Sequence, residues 1–171
     1  MTILDVVRGR RSVRAFKPDP VPEEALGRAL EAARLAPSAK NLQPWKFIVI
    51  RDLETRRRLA AASAGQSFMA GAPLIIAACG FPGQSYTRLG RYMNSWPVDV
   101  AIAFEHLILQ AREDGLGTCW IGAFEEEAVK DILGVPAEVR VLALTPLGYP
   151  AESPAFRGRK SLEDIVSTDQ W

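Results

Sequence analysis

The chain has 171 residues, with 21 lysines and arginines, 20 aspartates and glutamates and one histidine, giving a formal net charge of +1 at pH 7. Hydrophobic residues make up 48% and charged residues 24% of the sequence, which is typical of one globular domain spanning residues 1–171. This balance argues against a nucleic-acid-binding or membrane-surface protein, so any basic patch must be local and directed at a small ligand.

The two cysteines, Cys79 and Cys119, lie in separate apolar stretches. Their spacing fits neither a C-x-x-C motif, a zinc pattern nor a disulfide framework, so we expect two buried, reduced thiols and no metal site. No apolar run approaches the roughly 18 residues that span a bilayer. Early arginines argue against a signal peptide, and we therefore expect a cytoplasmic protein.

The first half of the chain predicts alternating helices and strands. Thr2 and Asp5 fit a capping box that begins a helix ending near Gly9. Apolar residues at positions i, i+3, i+4 and i+7 then predict a helix between Pro22 and Pro37. The remaining elements of this half are a strand at 47–50, a helix at 53–62 and a buried strand at 74–79.

The second half begins with an irregular segment, residues 81–97, that is rich in proline, glycine and aromatic residues. Residues 99–114 predict a helix that is apolar on most sides, which must be buried in the core or between subunits. The other predicted elements are a short strand at 118–121, a helix at 125–133 and a strand at 139–147.

The order of these elements favours an α+β sandwich over a doubly wound sheet, because the strands and helices do not follow a regular β-α-β spacing. The tail after Pro150 is polar but contains spaced apolar residues that have no evident place in a compact core. This pattern suggests that the tail wraps around a partner.

Common catalytic and nucleotide-binding motifs are missing. The single histidine, His106, lies within the apolar helix, where a structural role is favoured over a Ser-His-Asp triad or a metal site. Gly115-Leu116-Gly117 begins like a dinucleotide fingerprint, but the third glycine and a preceding strand are lacking, and there is no Walker loop. We assign no catalytic acid or base.

Arginines cluster at two places far apart in the sequence: Arg10, Arg11 and Arg14 near one end, and Arg157 and Arg159 near the other. Guanidinium groups match phosphate oxygens in a bidentate manner, and several at one site bind an anion strongly. Ser12 adds a hydroxyl that also suits a phosphate. Each cluster by itself is more often a solvated surface, so both interpretations stay open at this point.

A second informative stretch is PSAKNLQPW, residues 37–45, directly before the first predicted strand. Such a loop offers amide and hydroxyl groups to a polar ligand and an aromatic wall to a ring. Taken alone it is better explained as a connection with turn residues and a packing tryptophan.

Four stretches occur together and in order: RRSVRAF at 10–16, PSAKNLQPWKF at 37–47, GLGTCWIGAF at 115–124 and RGRKSLEDIV at 157–166. In this combination they closely resemble the nitroreductase family of flavin enzymes, over nearly the whole chain. The resemblance implies an α+β fold with a mixed sheet flanked by helices. It also implies an intertwined homodimer with exchanged C-terminal tails and two FMN sites at the interface.

The resemblance gives the arginine clusters a common role. Arg10, Arg11 and Ser12 match the motif that binds the FMN phosphate and ribityl chain, and Arg157 and Arg159 match the pair that completes the phosphate site. The two clusters are therefore expected to form one site for tightly bound FMN.

Seven further positions match residues that bind the rest of the flavin in this family. They are Arg14 near N1 and O2, the loop residues Pro37, Ser38 and Asn41 presented by the partner subunit, Gln66 at the pyrimidine edge, and the amides of Gly122 and Ala123 near N5 and O4. A cation near N1 and O2 would favour the charge that reduced flavin carries there.

The implied activity is a ping-pong reaction in which NAD(P)H gives hydride to flavin N5 and nitroaromatics, quinones or related acceptors take it. One alternative is a specialised enzyme on this scaffold, such as a dehalogenase, an azoline or dipeptide dehydrogenase or a flavin-fragmenting enzyme, although the short 81–97 segment argues against it. Another is a flavin carrier or sensor without turnover, and FAD is also compatible with the site. The aromatic residues of the segment could line the substrate side or pack in the core: Tyr86, Tyr92 and Trp96.

Overall fold

Four strands form one sheet in the order β1-β2-β4-β3 in the computed structural model, which describes residues 2–171. The strands are β1 (Trp45–Ile50), β2 (Leu74–Gly80), β3 (Gly117–Thr118) and β4 (Arg140–Gly148). All three pairings between them are antiparallel, and the register places Phe47 opposite Ala78 and Ala77 opposite Leu144. Parallel pairing in the described chain is confined to one isolated bridge, between Ser12 and Thr118.

Helices cover both faces of this sheet and confirm the predicted α+β class. They are α1 (Ile3–Gly9), α2 (Glu23–Arg34), α3 (Leu53–Ala62), α4 (Trp96–Glu113) and α5 (Glu126–Leu133). Alternate residues of β2 face opposite sides, as the two-residue period of a strand requires. Ile76 packs with α2 and α4 in one core, and Ile75 packs with α3 and α5 in the other.

The local sequence signals account for most element boundaries. The capping box of Thr2 and Asp5 is formed at the start of α1, with the Asp5 amide donating to the Thr2 hydroxyl. Helix α4 begins at Trp96 rather than at the expected residue 99, because Pro97 fits its first turn. The predicted strand at 118–121 is interrupted, since the Cys119 amide donates to the Thr145 hydroxyl, 3.1 Å away.

The tail, residues 151–171, contains no helix or strand in the part of the chain described, and almost all of it is exposed. Three apolar residues of the tail are exposed to solvent, Leu162 at 75%, Ile165 at 63% and Val166 at 59% of full exposure. Ile3 on α1 is likewise 83% exposed. Within residues 2–171, no helix combines the length and the apolar character needed to cross a bilayer.

Candidate functional site

The two arginine clusters meet at one cavity of about 440 Å³. We call it the arginine cavity, and its wall contains every basic residue that the sequence singled out, together with the serine: Arg10, Arg11, Ser12, Arg14, Arg157 and Arg159. Local charge density, rather than the net charge of the chain, therefore makes this site. No ion pair joins any of these five arginines to a carboxylate within residues 2–171.

Backbone pairing fixes the N-terminal wall of the cavity. Helix α1 ends at Gly9, and the chain then runs beside β3, where the Val13 amide donates to the Thr118 carbonyl at 2.9 Å. Gly117 allows this close approach, since a Cβ there would lie 3.0 Å from the Val13 side chain. The side chains of residues 10–14 are thereby held at the edge of the sheet.

The C-terminal wall is attached to the same segment. The Lys17 amide donates to the Tyr149 carbonyl at 2.8 Å, and the Ala151 amide donates to the Ala15 carbonyl at 2.8 Å. These bonds lead the tail across residues 10–14, so that side chains from opposite ends of the sequence enclose one space.

An aromatic ring joins the two clusters. The Arg11 guanidinium lies 4.9 Å from the centroid of the Phe156 ring, and the Arg159 guanidinium lies 5.4 Å from it. Both distances are within the range of cation–π attraction. Glu152 also lines the cavity, where its carboxylate accepts a short hydrogen bond from the Arg14 backbone amide. Sequence reasoning did not identify Phe156 or Glu152, because neither forms a recognisable spacing with the arginines.

The cavity fits an anionic group such as a phosphate. Arg11 donates through Nη1 to the carbonyls of Arg8 and Arg10, at 2.7 and 2.9 Å, but its Nε is buried and has no partner among the described residues. Five guanidinium groups line this space, so an anion bound there would accept charge-assisted hydrogen bonds.

The cysteines are buried and free, which confirms the expected state. Burial raises the pKa of the Cys119 thiol, against the opposing effects of Arg14, the Ser12 hydroxyl and Arg10. Burial also raises the pKa of Cys79 to about 11. Both thiols therefore stay protonated near neutral pH and are poor nucleophiles, although Cys119 lies behind the cavity wall.

A second predicted region, the 37–43 loop, is built by backbone geometry rather than by charge. Lys40, Asn41 and Gln43 have φ angles of 52°, 57° and 50°, in the left-handed region that residues other than glycine rarely adopt. The Gln43 amide donates to Ser38 Oγ at 2.9 Å, and the Ala39 amide donates to Asp99 at 2.9 Å. The loop is therefore attached to the N-terminal turn of α4.

The structure does not bring the loop to the arginine cavity of the same chain, since Pro37, Ser38 and Asn41 are absent from its wall. The N-terminal wall meets α4 at Arg112, whose Nη2 would lie 2.9 Å from a Cβ on Gly9. The loop meets α4 at Asp99, thirteen residues away, or about 20 Å at 1.5 Å per residue.

The residues expected at the flavin ring lie together in the structure: Gln66, Gly122 and Ala123. Gln66 Nε2 donates to the Ala123 carbonyl at 3.4 Å and to the Ser63 carbonyl at 3.0 Å. Gly122 and Ala123 are exposed and follow β3 closely in sequence, so their backbone is accessible to a ligand. A Cβ on Gly122 would find only Trp120 Nε1, at 3.9 Å.

The remaining candidate residues have different surroundings. Trp96 packs against the sheet so closely that a Cβ on Gly80 would collide with its ring, whereas Tyr92 is 82% exposed. The Tyr86 ring lies 4.9 Å from the Lys40 ammonium. His106 lines an apolar groove between α1, α2 and α4. Within residues 2–171, no group of three or more histidine, cysteine, aspartate or glutamate residues is placed to hold a metal ion.

Comparison with known proteins defines the class of this fold. The sequence profile of the nitroreductase family matches residues 7–68 and 64–149. An NADH dehydrogenase of Thermus thermophilus is 34% identical over 186 residues, covering 92% of this chain and 91% of the relative. A 5,6-dimethylbenzimidazole synthase of Rhodospirillum rubrum is 34% identical over 167 residues, covering 84% and 79%.

A solved structure agrees with the sequence matches. An FMN-dependent nitroreductase from Clostridium difficile superposes with a TM-score of 0.84 at 28% identity, covering 98% of this chain and 99% of that one. The chain therefore belongs to the nitroreductase family. The predicted enzyme class, a nitroreductase-like oxidoreductase dependent on NAD(P)H, is confirmed.

Proposed function

We propose that this chain forms a homodimer that binds FMN tightly and uses NAD(P)H to reduce nitroaromatics, quinones or related acceptors. The observation that carries the proposal is the arginine cavity, where basic residues from opposite ends of the sequence line one space. Neither cluster alone distinguishes a binding site from a solvated surface, but their convergence at one cavity favours an anionic ligand.

In this proposal the FMN phosphate is held by Arg10, Arg11, Ser12, Arg157 and Arg159. Bidentate guanidinium contacts would neutralise its charge. The ring stacking of Phe156 against two of these arginines limits their rotamers and so lowers the entropy lost on binding.

The other predicted residues would hold the reactive ring. When bound, FMN would supply the redox chemistry, with hydride passing from NAD(P)H through N5 to the acceptor. Arg14 would place a cation at N1 and O2, where the reduced ring is negative. Gln66 would bind the pyrimidine edge, while the amides of Gly122 and Ala123 would orient N5 and O4.

We propose that Pro37, Ser38 and Asn41 act in the site of the partner subunit. Two observations support this arrangement: the loop lies away from the arginine cavity of its own chain, and the tail leaves apolar side chains uncovered. Exchange of the tails between two chains would cover Leu162 and its neighbours. We further propose a cytoplasmic location, in keeping with two reduced thiols.

An absorbance spectrum of the purified protein, followed by anaerobic addition of NADH and then NADPH, tests this function. We expect flavin bands that lose their absorbance on addition of one or both donors. Bands that persist with both donors would exclude the reductase and support a flavin carrier or sensor instead. A protein that stays colourless after addition of FMN would contradict the proposal.

A second candidate is the synthesis of 5,6-dimethylbenzimidazole, favoured by the Rhodospirillum rubrum relative at 34% identity. The reductase would leave FMN intact, whereas the synthase would consume it to form 5,6-dimethylbenzimidazole. Chromatography of an aerobic reaction with NAD(P)H and excess FMN separates them. Intact FMN with consumption of an added quinone supports the reductase, and accumulation of 5,6-dimethylbenzimidazole supports the synthase.

A further inference from the structure

Asp99 is a buried carboxylate that joins two loops at the start of α4. Only 3% of the residue is exposed. Its Oδ1 accepts a hydrogen bond from the Ala39 amide at 2.9 Å, and its Oδ2 accepts one from the Ser95 hydroxyl at 2.6 Å. Ser95 Oγ in turn accepts from the Tyr86 amide at 3.1 Å. One side chain therefore attaches both the 37–43 loop and the 81–97 segment to α4.

The position of Asp99 explains how a carboxylate can be buried there. No lysine, arginine or histidine forms an ion pair with it in the described part of the chain. It lies instead in the first turn of α4, where the helix dipole favours a negative charge. Its two hydrogen bonds replace part of the lost hydration.

The loop that Asp99 holds needs such an attachment. Lys40, Asn41 and Gln43 adopt left-handed backbone conformations that a residue with a Cβ does not favour. Conformations of this kind persist where the surrounding structure imposes them, and they concentrate at functional sites. The bond from Ala39 to Asp99 fixes the chain directly before the three residues, and the bond from the Gln43 amide to Ser38 closes the loop.

We propose that Asp99 is a positioning residue for the flavin site. It holds the 37–43 loop in the shape in which Ser38 and Asn41 meet the flavin of the partner subunit. Through Ser95 it also fixes Tyr86, whose ring contacts Lys40 of the same loop, so the loop and the 81–97 segment are set together. The inference rests on the proposed function, in which this loop completes the site.

The test compares Asp99→Ala with Asp99→Asn in an FMN titration of the 171-residue chain. Asp99→Ala leaves the half-buried Ala39 amide without its acceptor, so we expect the FMN Kd to rise by about tenfold or more. Asp99→Asn keeps a carbonyl oxygen for that amide and an NH2 group for Ser95 Oγ, so we expect it to restore most of the affinity. The bound flavin spectrum should change in Asp99→Ala and match wild type in Asp99→Asn.

Asp52→Ala is the matched control. Asp52 caps α3 by accepting hydrogen bonds from the amide and the hydroxyl of Thr55, both at 2.7 Å. Its loss should lower the melting temperature without changing the FMN Kd, so a loss of affinity confined to Asp99→Ala is not a general effect of reduced stability.

The outcomes separate the two proposals. Wild-type protein that binds no flavin contradicts the proposed function itself. If wild type binds FMN and folded Asp99→Ala binds it equally well, only the role of Asp99 is overturned. Should Asp99→Ala fail to fold, Ala39→Pro decides, because it removes the amide that donates to Asp99 at a first-turn position that tolerates proline. A raised FMN Kd then supports the inference, and an unchanged Kd overturns it.

Discussion

The arginine cavity and the 37–43 loop are both predicted to contact the flavin, yet they are built in different ways. The cavity depends on side-chain charge, and both of its walls come from one chain. The loop depends on strained backbone held by a buried carboxylate, and it lies at the other end of α4. Under the proposed function, one chain supplies two unlike halves of a site, and each half is completed by the partner subunit.

The largest effect is expected from truncation after Pro154, which acts on the cavity and on the dimer together. It removes Arg157 and Arg159 as well as the exposed apolar residues of the tail: Leu162, Ile165 and Val166. We expect a monomer in sedimentation and no bound flavin. Truncation after Val166 is the control and should keep both properties. An unchanged dimer after the longer truncation would mean that the tail does not wrap around its partner.

Replacing only the C-terminal arginines tests their contribution to FMN binding separately from the contribution of the tail to dimerisation. Arg157→Ala with Arg159→Ala removes two charge-assisted contacts, each contributing roughly 1.5–3 kcal/mol. FMN affinity should fall by about a hundredfold or more, while the dimer persists, as measured by flavin titration and sedimentation. Arg57→Ala with Arg58→Ala on α3 removes the same charge elsewhere and should leave affinity unchanged. Full flavin loading of the first variant would rule out the phosphate assignment.

A smaller effect is expected at Gly122, which tests the ring end of the site. A Cβ there meets only Trp120 Nε1 at 3.9 Å, so Gly122→Ala should not lower the melting temperature of the flavin-free protein. It should weaken FMN binding by about tenfold, because the methyl group would separate the backbone from the flavin. Gly27→Ala on α2, where nothing lies within 4 Å, is the control. Equal FMN affinity in both variants would place the flavin elsewhere.

The sequence predicted those parts of the fold that local interactions decide. The capping box of Thr2 and Asp5 and the bounds of α3 follow from neighbouring residues, and the structure agrees with both. The expected strand at 118–121 is shorter, because its pairing is interrupted by the hydroxyl of Thr145, a residue distant in sequence. A hydrogen bond between residues so distant in sequence leaves no pattern that can be recognised in one amino-acid sequence.

The same distinction applies to the candidate site. The meeting of Arg10 with Arg157 was expected only through family resemblance, since no spacing rule connects residues at opposite ends of a chain. Asp99 was visible as an acid near a helix start, a common position that carries no functional signal. Its bond to Ala39 depends on how α4 packs beside the loop, which only the folded structure defines.

The most direct test of a site shared between two chains is complementation in a heterodimer. One chain carries Arg157→Ala with Arg159→Ala, and the other carries Ser38→Ala with Asn41→Ala. The two are co-expressed with different tags and purified as the mixed dimer. If the cavity of one chain takes the loop of its partner, one of the two sites is fully intact and the other carries both defects.

The measurement is FMN bound per mixed dimer in a titration, compared with each variant homodimer. We predict one FMN per dimer at wild-type affinity, although both homodimers bind weakly. Two weak sites and no wild-type site would contradict the account, because each cavity would then depend on the loop of its own chain.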